Sequence, residues 1–202
     1  MKILAFIDTH GNKRDLDSVI SKSRLADIVI CGGDFTVFED NMEIELRRIN
    51  SMGKTVLLIH GNHESASSVS AASMKHENIK FIHNNYFIKD DVIFFGFGGG
   101  GFSQVDHKFE IAANAFIEQL KELEKKHNKK FKFVLVTHAP PLGTKIDDLG
   151  YHVGNKTIAD FIKKHEPIIA ISGHIHETFY ATDHIGKTLL INPGPDGRML
   201  DI

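Results

Sequence analysis

An α/β fold organised on a parallel sheet is predicted by three observations. Apolar runs of strand length alternate with amphipathic stretches through the first half of the chain. The middle then switches to short strands separated by turn residues. Finally, five of the apolar runs end directly on residues able to bind a metal ion.

Taken in order, Lys2–Ile7 reads as a strand, Lys13–Lys22 as a helix, Ala26–Cys31 as a strand and Glu39–Met52 as a helix. Lys54–Ile59 reads as a strand and Ser67–His76 as a helix; this alternation implies parallel pairing through crossover helices. Ile79–His83, Tyr86–Lys89 and Val92–Gly96 are short strands joined by turns such as Asn84-Asn85 and Asp90-Asp91. Their close spacing predicts antiparallel pairing, in a second sheet or an edge extension. Gly98–Gly101 is a flexible crossing. Lys108–Lys126 is the longest helix, Phe131–Thr137 a strand, Asn155–Lys164 a helix and Ile168–Ser172 a strand. A hairpin of Thr178–Thr182 with Lys187–Ile191 turns at His184–Gly186. Nothing in the pattern marks a linker, so one domain over residues 1–202 is expected.

Composition narrows the function. Lys and Arg number 24 against 26 Asp and Glu, a balance that argues against a general grip on nucleic acid or anionic membrane. The single Cys31 can form no internal disulfide, and no apolar run approaches the ~20 residues of a membrane span, so a cytosolic location is expected. The 13 histidines are scattered rather than clustered as a tag, and histidine is the commonest metal ligand and neutral-pH acid or base.

The residues just past the strands are Asp8-Thr9-His10, Gly32-Gly33-Asp34, His60-Gly61-Asn62-His63-Glu64, His138 and Gly173-His174-Ile175-His176. Ligands bind in the crevice outside the carboxyl ends of strands in open α/β sheets, so five strands in one sheet would bring these groups together. Any one of them alone is better read as a cap, a turn residue or a hydrogen-bonded core histidine. Jointly they form a set of carboxylate, amide and imidazole donors without thiolate, which suits Mn, Fe, Zn, Ni or Co. Seven donors exceed one four-coordinate ion and fit two ions sharing a carboxylate, about 3.5–4 Å apart, an arrangement suited to phosphoryl transfer.

These five blocks, in this order and spacing from position 8 to 176, resemble the calcineurin-like metallophosphoesterases of the small single-domain phosphodiesterase type. Asn192-Pro193-Gly194-Pro195 is similar to the usual ending of that family. The resemblance implies a four-layer α-β-β-α sandwich, two mixed sheets flanked by helices, with a two-metal site between strand ends. It further implies that Asp8, His10 and His176 hold one ion and Asn62, His138 and His174 the other, with Asp34 bridging through its two oxygens. His63 would protonate the leaving oxygen while a metal-bridging hydroxide attacks phosphorus in line, and Glu64 would hold His63 in place. Where the family often has Asp, this chain has Glu64; both are carboxylates.

Two divalent ions, two carboxylates and a hydroxide leave roughly +1, which matches a singly charged diester more evenly than a dianionic monoester. A small phosphodiester bound with manganese is therefore expected, ahead of a phosphomonoester or nucleotide pyrophosphate. Residues 98–107 and 142–156 are expected to line the pocket. Among them His152 and Asn155 open a helix whose free N–H groups attract anions, making both candidate substrate contacts; the alternative is an N-cap at Asn155. Thr9, Cys31 and His60 read as packing residues. Gly96-Phe97-Gly98-Gly99-Gly100-Gly101 matches G-x-G-x-x-G but opens no helix and lacks the acidic partner of a dinucleotide fold. A binding scaffold of the same fold without turnover is the rival from another class; retention of all seven ligands and His63 favours the enzyme. Oligomeric state is not legible.

Overall fold

A computed structural model describes residues 1–202. The apolar runs become strands because they lie between layers and are covered on both faces, which is why they are continuous rather than alternating. β1 (Lys2–Phe6), β2 (Ile28–Cys31), β3 (Val56–Leu58) and β4 (Ile79–Phe81) pair in parallel in that order. The crossovers are α1 (Lys13–Ser23), α2 (Met42–Asn50) and α3 (Ala66–Ser73). The second sheet has the order β5 (Asn85–Lys89), β6 (Val92–Phe97), β7 (Lys132–Thr137), β8 (Ile169–Ile171), β10 (Thr188–Ile191), β9 (Thr182–Ile185). The long helix α4 (His107–His127) joins β6 to β7, and α5 (Lys156–His165) joins β7 to β8. β11 (Arg198–Asp201) returns antiparallel to β1 and completes a five-stranded first sheet.

Three apolar layers hold this together. Leu4, Phe6, Val29, Leu46, Val56 and Val69 pack α1–α3 on the outer face of the first sheet. Ile3, Ala5, Ile30, Leu57, Phe94, Val134, Val136 and Ile171 fill the space between the sheets. Phe95, Phe109, Phe116, Leu135 and Phe161 pack α4 and α5 on the second. The result is a four-layer α-β-β-α sandwich of two mixed sheets. Inward and outward residues alternate along each strand, so one face of β1 (Ile3, Ala5) meets the other sheet while Leu4 and Phe6 meet helices.

Several sequence expectations need correction. The five strands bearing metal-capable ends do not share one sheet: β1, β2 and β3 lie in the first, β7 and β8 in the second. β4 pairs parallel with β3, and of the three short strands only β5 and β6 pair antiparallel with each other. The helix expected from Glu39 starts at Met42, because Phe38, Glu39 and Asn41 take positive φ of 49°, 66° and 55°. Residues 178–182 are not a hairpin strand. His176–Thr178 forms a 3-10 turn, and the strand of the hairpin runs from Thr182 to Ile185.

Candidate metal centre

The loops after β1 and β2 are zipped together by backbone: Asp8 N–H donates to Gly33 O (3.0 Å) and His10 N–H to Asp34 O (2.9 Å). The loops after β7 and β8 are joined likewise, with Gly173 N–H donating to His138 O (3.0 Å). Two bonds then cross between sheets: His174 N–H donates to Asp8 Oδ2 (2.9 Å), and His138 Nδ1–H donates to Gly32 O (3.0 Å). Loop ends from both sheets therefore converge, although the strands do not share a sheet.

Four of the residues concerned, Asp8, His10, Asp34 and His174, have φ of 57°, 45°, 50° and 68°. Such left-handed backbone is uncommon outside glycine and collects at functional sites, where the surroundings hold it in place. Two glycines give the carboxylates room. A Cβ on Gly61 would collide with the Asp34 carboxylate, and one on Gly173 with that of Asp8.

The donor atoms group into Asp8, His10 and His176, and into Asp34, His138 and His174; His10 and Asp34 also group with His63. Within each group the ligand atoms lie within 4.8 Å of one another. Asp34 Oδ2 faces His138 Nε2 at 3.4 Å, His10 Nε2 at 3.8 Å and His63 Nε2 at 4.0 Å. Asp34 Oδ1 accepts the His63 backbone N–H at 2.8 Å. Oδ2 is thus the Asp34 oxygen that faces both His138 and His10.

The donors fit a divalent cation. His138 Nδ1 and His10 Nδ1 both face carbonyl oxygens, Gly32 O and Thr36 O, and so carry their protons there. In the neutral ring each Nε2 then carries a lone pair. His138 Nε2 faces Asn62 Oδ1 at 3.0 Å, and His10 Nε2 faces His176 Nε2 at 3.2 Å. Each contact is either a hydrogen bond, with one ring nitrogen protonated, or a pair of lone pairs that a shared cation would join. Asp8 Oδ1 and His174 Nε2 are buried with no hydrogen-bond partner. Ionisation shows how closely the charges of these side chains are coupled. Burial, reinforced by Asp34, pushes Asp8 well above the usual carboxylate range. Burial also opposes charge on His138 and Asp34, but their mutual contact outweighs it, raising the imidazole and lowering the carboxyl. Burial beside His138 pulls His174 down to about 4, keeping it a neutral donor.

Glu64 does not hold His63. Its carboxylate accepts from the backbone N–H of Asp34 (3.0 Å), Thr36 (2.8 Å) and Gly61 (2.9 Å) and from Thr36 Oγ1 (2.8 Å). It staples the β2 loop to the β3 loop, and burial raises its pKa. The His63 ring instead stacks on Phe38 at 4.4 Å, a contact no sequence pattern announced. Asn192, in the late proline turn, donates to Ile175 O and Thr178 Oγ1 (both 3.2 Å) and so brackets His176.

The expected substrate contacts divide. Asn155 is 1% exposed: its oxygen caps α5 by accepting Ile158 N–H (3.0 Å), and its Nδ2 donates to Ser103 O (2.7 Å). Its amide is buried and engaged through both its oxygen and its nitrogen, so the capping alternative describes it. His152 is exposed, with Nδ1 at 3.0 Å from the buried Asp147 carboxylate and Nε2 unengaged. The Gly98–Gly100 loop lines a cleft of about 560 Å³ with His60, His83 and Phe97; this cleft includes none of the donor residues and is not the pocket expected of residues 98–107 and 142–156. His60 is buried but only half satisfied, since Nδ1 bonds Gly61 O and Nε2 has no partner.

The profile of the calcineurin-like phosphoesterase family matches residues 1–178. The chain belongs to that family. Its fold is shared by a protein of Thermus thermophilus at 15% identity and a TM-score of 0.73, covering 96% of this chain and 90% of the other. A dimetal phosphatase from Danio rerio matches at 10% identity and 0.63, over 95% and 86%. A structure described as a novel archaeal phosphodiesterase matches at 18% and 0.51, over 96% and 84%. None of the curated proteins matches. The family depends on divalent metal, in keeping with the donor groups above, and its activity is phosphoester hydrolysis. No helix is long and apolar enough to cross a membrane.

Proposed function

We propose that this protein hydrolyses a small phosphodiester with two divalent transition-metal ions, manganese foremost. The observation that carries the reading is two donor groups, Asp8–His10–His176 and Asp34–His138–His174, set side by side with Asp34 Oδ2 3.8 Å from His10 Nε2. Asp8, His10 and His176 would hold one ion, Asn62, His138 and His174 the other, with Asp34 Oδ2 between them. Bound there, such ions supply Lewis acidity and lower the pKa of water.

The chain's own residues do the rest. Gly32 O and Thr36 O fix the tautomers of His138 and His10, so each presents Nε2. The His63 backbone N–H holds Asp34 by one oxygen, which places the His63 ring beside the reacting region. With Nε2 4.0 Å from Asp34 and no ligand duty, His63 gives its proton to the departing oxygen. Glu64 keeps the two loops in register through four hydrogen bonds. His152, its ring oriented by Asp147, remains the candidate contact to the ester's unreacting side. The likeness to a dimetal phosphatase and an archaeal phosphodiesterase supports the two-ion and diester parts of the proposal. A cytoplasmic protein acting on a small molecule, not on nucleic acid or membrane, completes it; the near-balanced charge supports this.

The test is hydrolysis of bis-p-nitrophenyl phosphate by protein loaded with Mn²⁺, with a chelator control. His63→Ala should lower kcat about 10²–10⁴-fold while metal content stays intact. Normal turnover in that variant refutes the acid assignment, and no turnover by the wild type with any transition metal supports a scaffold.

A further inference from the structure

Two exposed phenylalanines stand on the metal-centre histidines. Phe38 is 76% exposed and stacks on His63, with ring centroids 4.4 Å apart and planes at 22°. Phe102 is 65% exposed and meets His174 edge-on at 4.7 Å. His63 groups with His10 and Asp34, and His174 with Asp34 and His138, so each ring stands on a different group of donors.

Neither ring is there to fill a core, and both are held in place. Phe38 has φ of 49° and Glu39 of 66°, a conformation that bulky side chains rarely take. The segment is pinned on its far side, where Glu39 accepts Ser65 N–H (2.7 Å) and Ser68 Oγ–H (3.1 Å), and Glu39 N–H reaches Thr36 Oγ1 (3.1 Å). Phe102 follows Gly99, Gly100 and Gly101, all at positive φ. Its loop is fastened at both ends: Gly99 N–H donates to His60 O (3.1 Å), Asn155 Nδ2 to Ser103 O (2.7 Å) and Lys156 N–H to Gln104 O (2.8 Å). Strained or glycine-rich backbone, anchored so as to leave a large apolar ring in water, is costly unless something covers that ring.

We propose that Phe38 and Phe102 are specificity residues that stack on flat rings carried by the groups esterified to the phosphate. The substrate class is then a phosphodiester carrying at least one planar ring, of which a nucleoside ester is the commonest chemical form. This rests on the phosphodiester reading above and adds what lies on either side of phosphorus. Phe38, lying against His63, receives the departing group. Phe102, against His174, receives the other arm. Aromatic faces bind every base with similar strength, so the pair selects flatness rather than base identity. Asn155 acts as a positioning residue by holding Ser103, the neighbour of Phe102.

Two measurements test this. Metal-loaded protein is compared on bis-p-nitrophenyl phosphate, flat on both arms, and methyl p-nitrophenyl phosphate, flat only on the departing arm. Phe102→Ala should lower the kcat/KM ratio between the two esters about tenfold, through KM. Asn155→Asp, which keeps the α5 cap and loses the bond to Ser103, should move the ratio the same way by less. An equal loss on both esters, or a loss in kcat alone, overturns the assignment of Phe102.

The second measurement reads binding rather than turnover. The chain has no tryptophan, so Phe38→Trp and Phe102→Trp each introduce a lone indole. Adenosine monophosphate should quench both, and ribose 5-phosphate neither. If neither ester is cleaved but the quench is seen, the phosphodiesterase reading fails and the aromatic one stands. If esters are cleaved but no quench is seen in either variant, the aromatic reading is overturned.

Discussion

The two donor groups differ in depth. In Asp34–His138–His174 the carboxylate is 2% exposed and His138 0%. In Asp8–His10–His176 only the aspartate is buried; His10 is partly open and His176 lies on an exposed 3-10 turn. The inner group joins a first-sheet carboxylate to second-sheet imidazoles, and it is fixed by Gly32 O, by Glu64 and by the packing between sheets. The outer group depends on a turn that Asn192 and Thr178 hold against the hairpin. In the two-ion reading proposed above, ligand exchange should therefore be slow at one position and fast at the other.

The largest expected effect comes from removing Asp34. Asp34→Ala should reduce bound metal from two equivalents to less than one, measured by elemental analysis. Activity should fall by ~10³-fold or more, beyond the 10–100-fold typical of residues one step removed from a metal. Retention of both ions would break the comparison, because the two groups would then be independent. Glu64→Ala leaves the buried N–H groups of Asp34, Thr36 and Gly61 unpaired and should cost ~3 kcal/mol in urea unfolding. A cost near zero would show that these loops are held by the metal rather than by Glu64. Next, a chelator should strip metal in two phases, and His176→Ala should abolish the fast phase while sparing the slow one. If His174→Ala does so instead, the ranking by depth is reversed.

The smallest effect lies away from the centre. Asp196 accepts Lys22 Nζ and Tyr180 OH, both at 2.8 Å, and ties the final turn to α1. Burial opposes its charge, but Lys22 and Tyr180 outweigh it and hold its pKa below the usual carboxylate range. A depressed carboxyl stabilises the fold above its unfolded pKa of ~3.9, and that contribution is lost as pH falls through the folded value. Wild type should exceed Asp196→Asn by under ~1 kcal/mol at pH 7, the gap closing as acid takes the pH below the usual carboxylate range. A gap that persists in acid would mean that packing, not charge, holds this turn.

Strands flanked by layers were legible because burial on both faces demands continuous apolar runs, as in β1, β2 and β7. β11 was not, because Arg198–Asp201 carries charge at both ends and becomes a strand only by pairing with β1. The donor residues were legible from type and position after strands. The role of Glu64 was not, since nothing in its position after His63 tells a carboxylate that touches a ring from one that accepts three backbone N–H groups of two loops. Phe38 and Phe102 were unreadable for the same reason: a ring 76% exposed on a histidine and a ring in a core have the same letter.

By itself the sequence determined which atoms this protein can offer a metal pair, because donor chemistry belongs to side-chain type and local spacing places those donors after strands. Only the tertiary structure decided that the donors come from two sheets, that Asp34 Oδ2 faces both His10 and His138, and that one group is deep and the other open. Those are distances between residues as far apart as 8 and 174, set by how an apolar layer of Ile3, Ala5, Phe94 and Val136 seats one sheet on the other. No local pattern in the chain encodes such a separation.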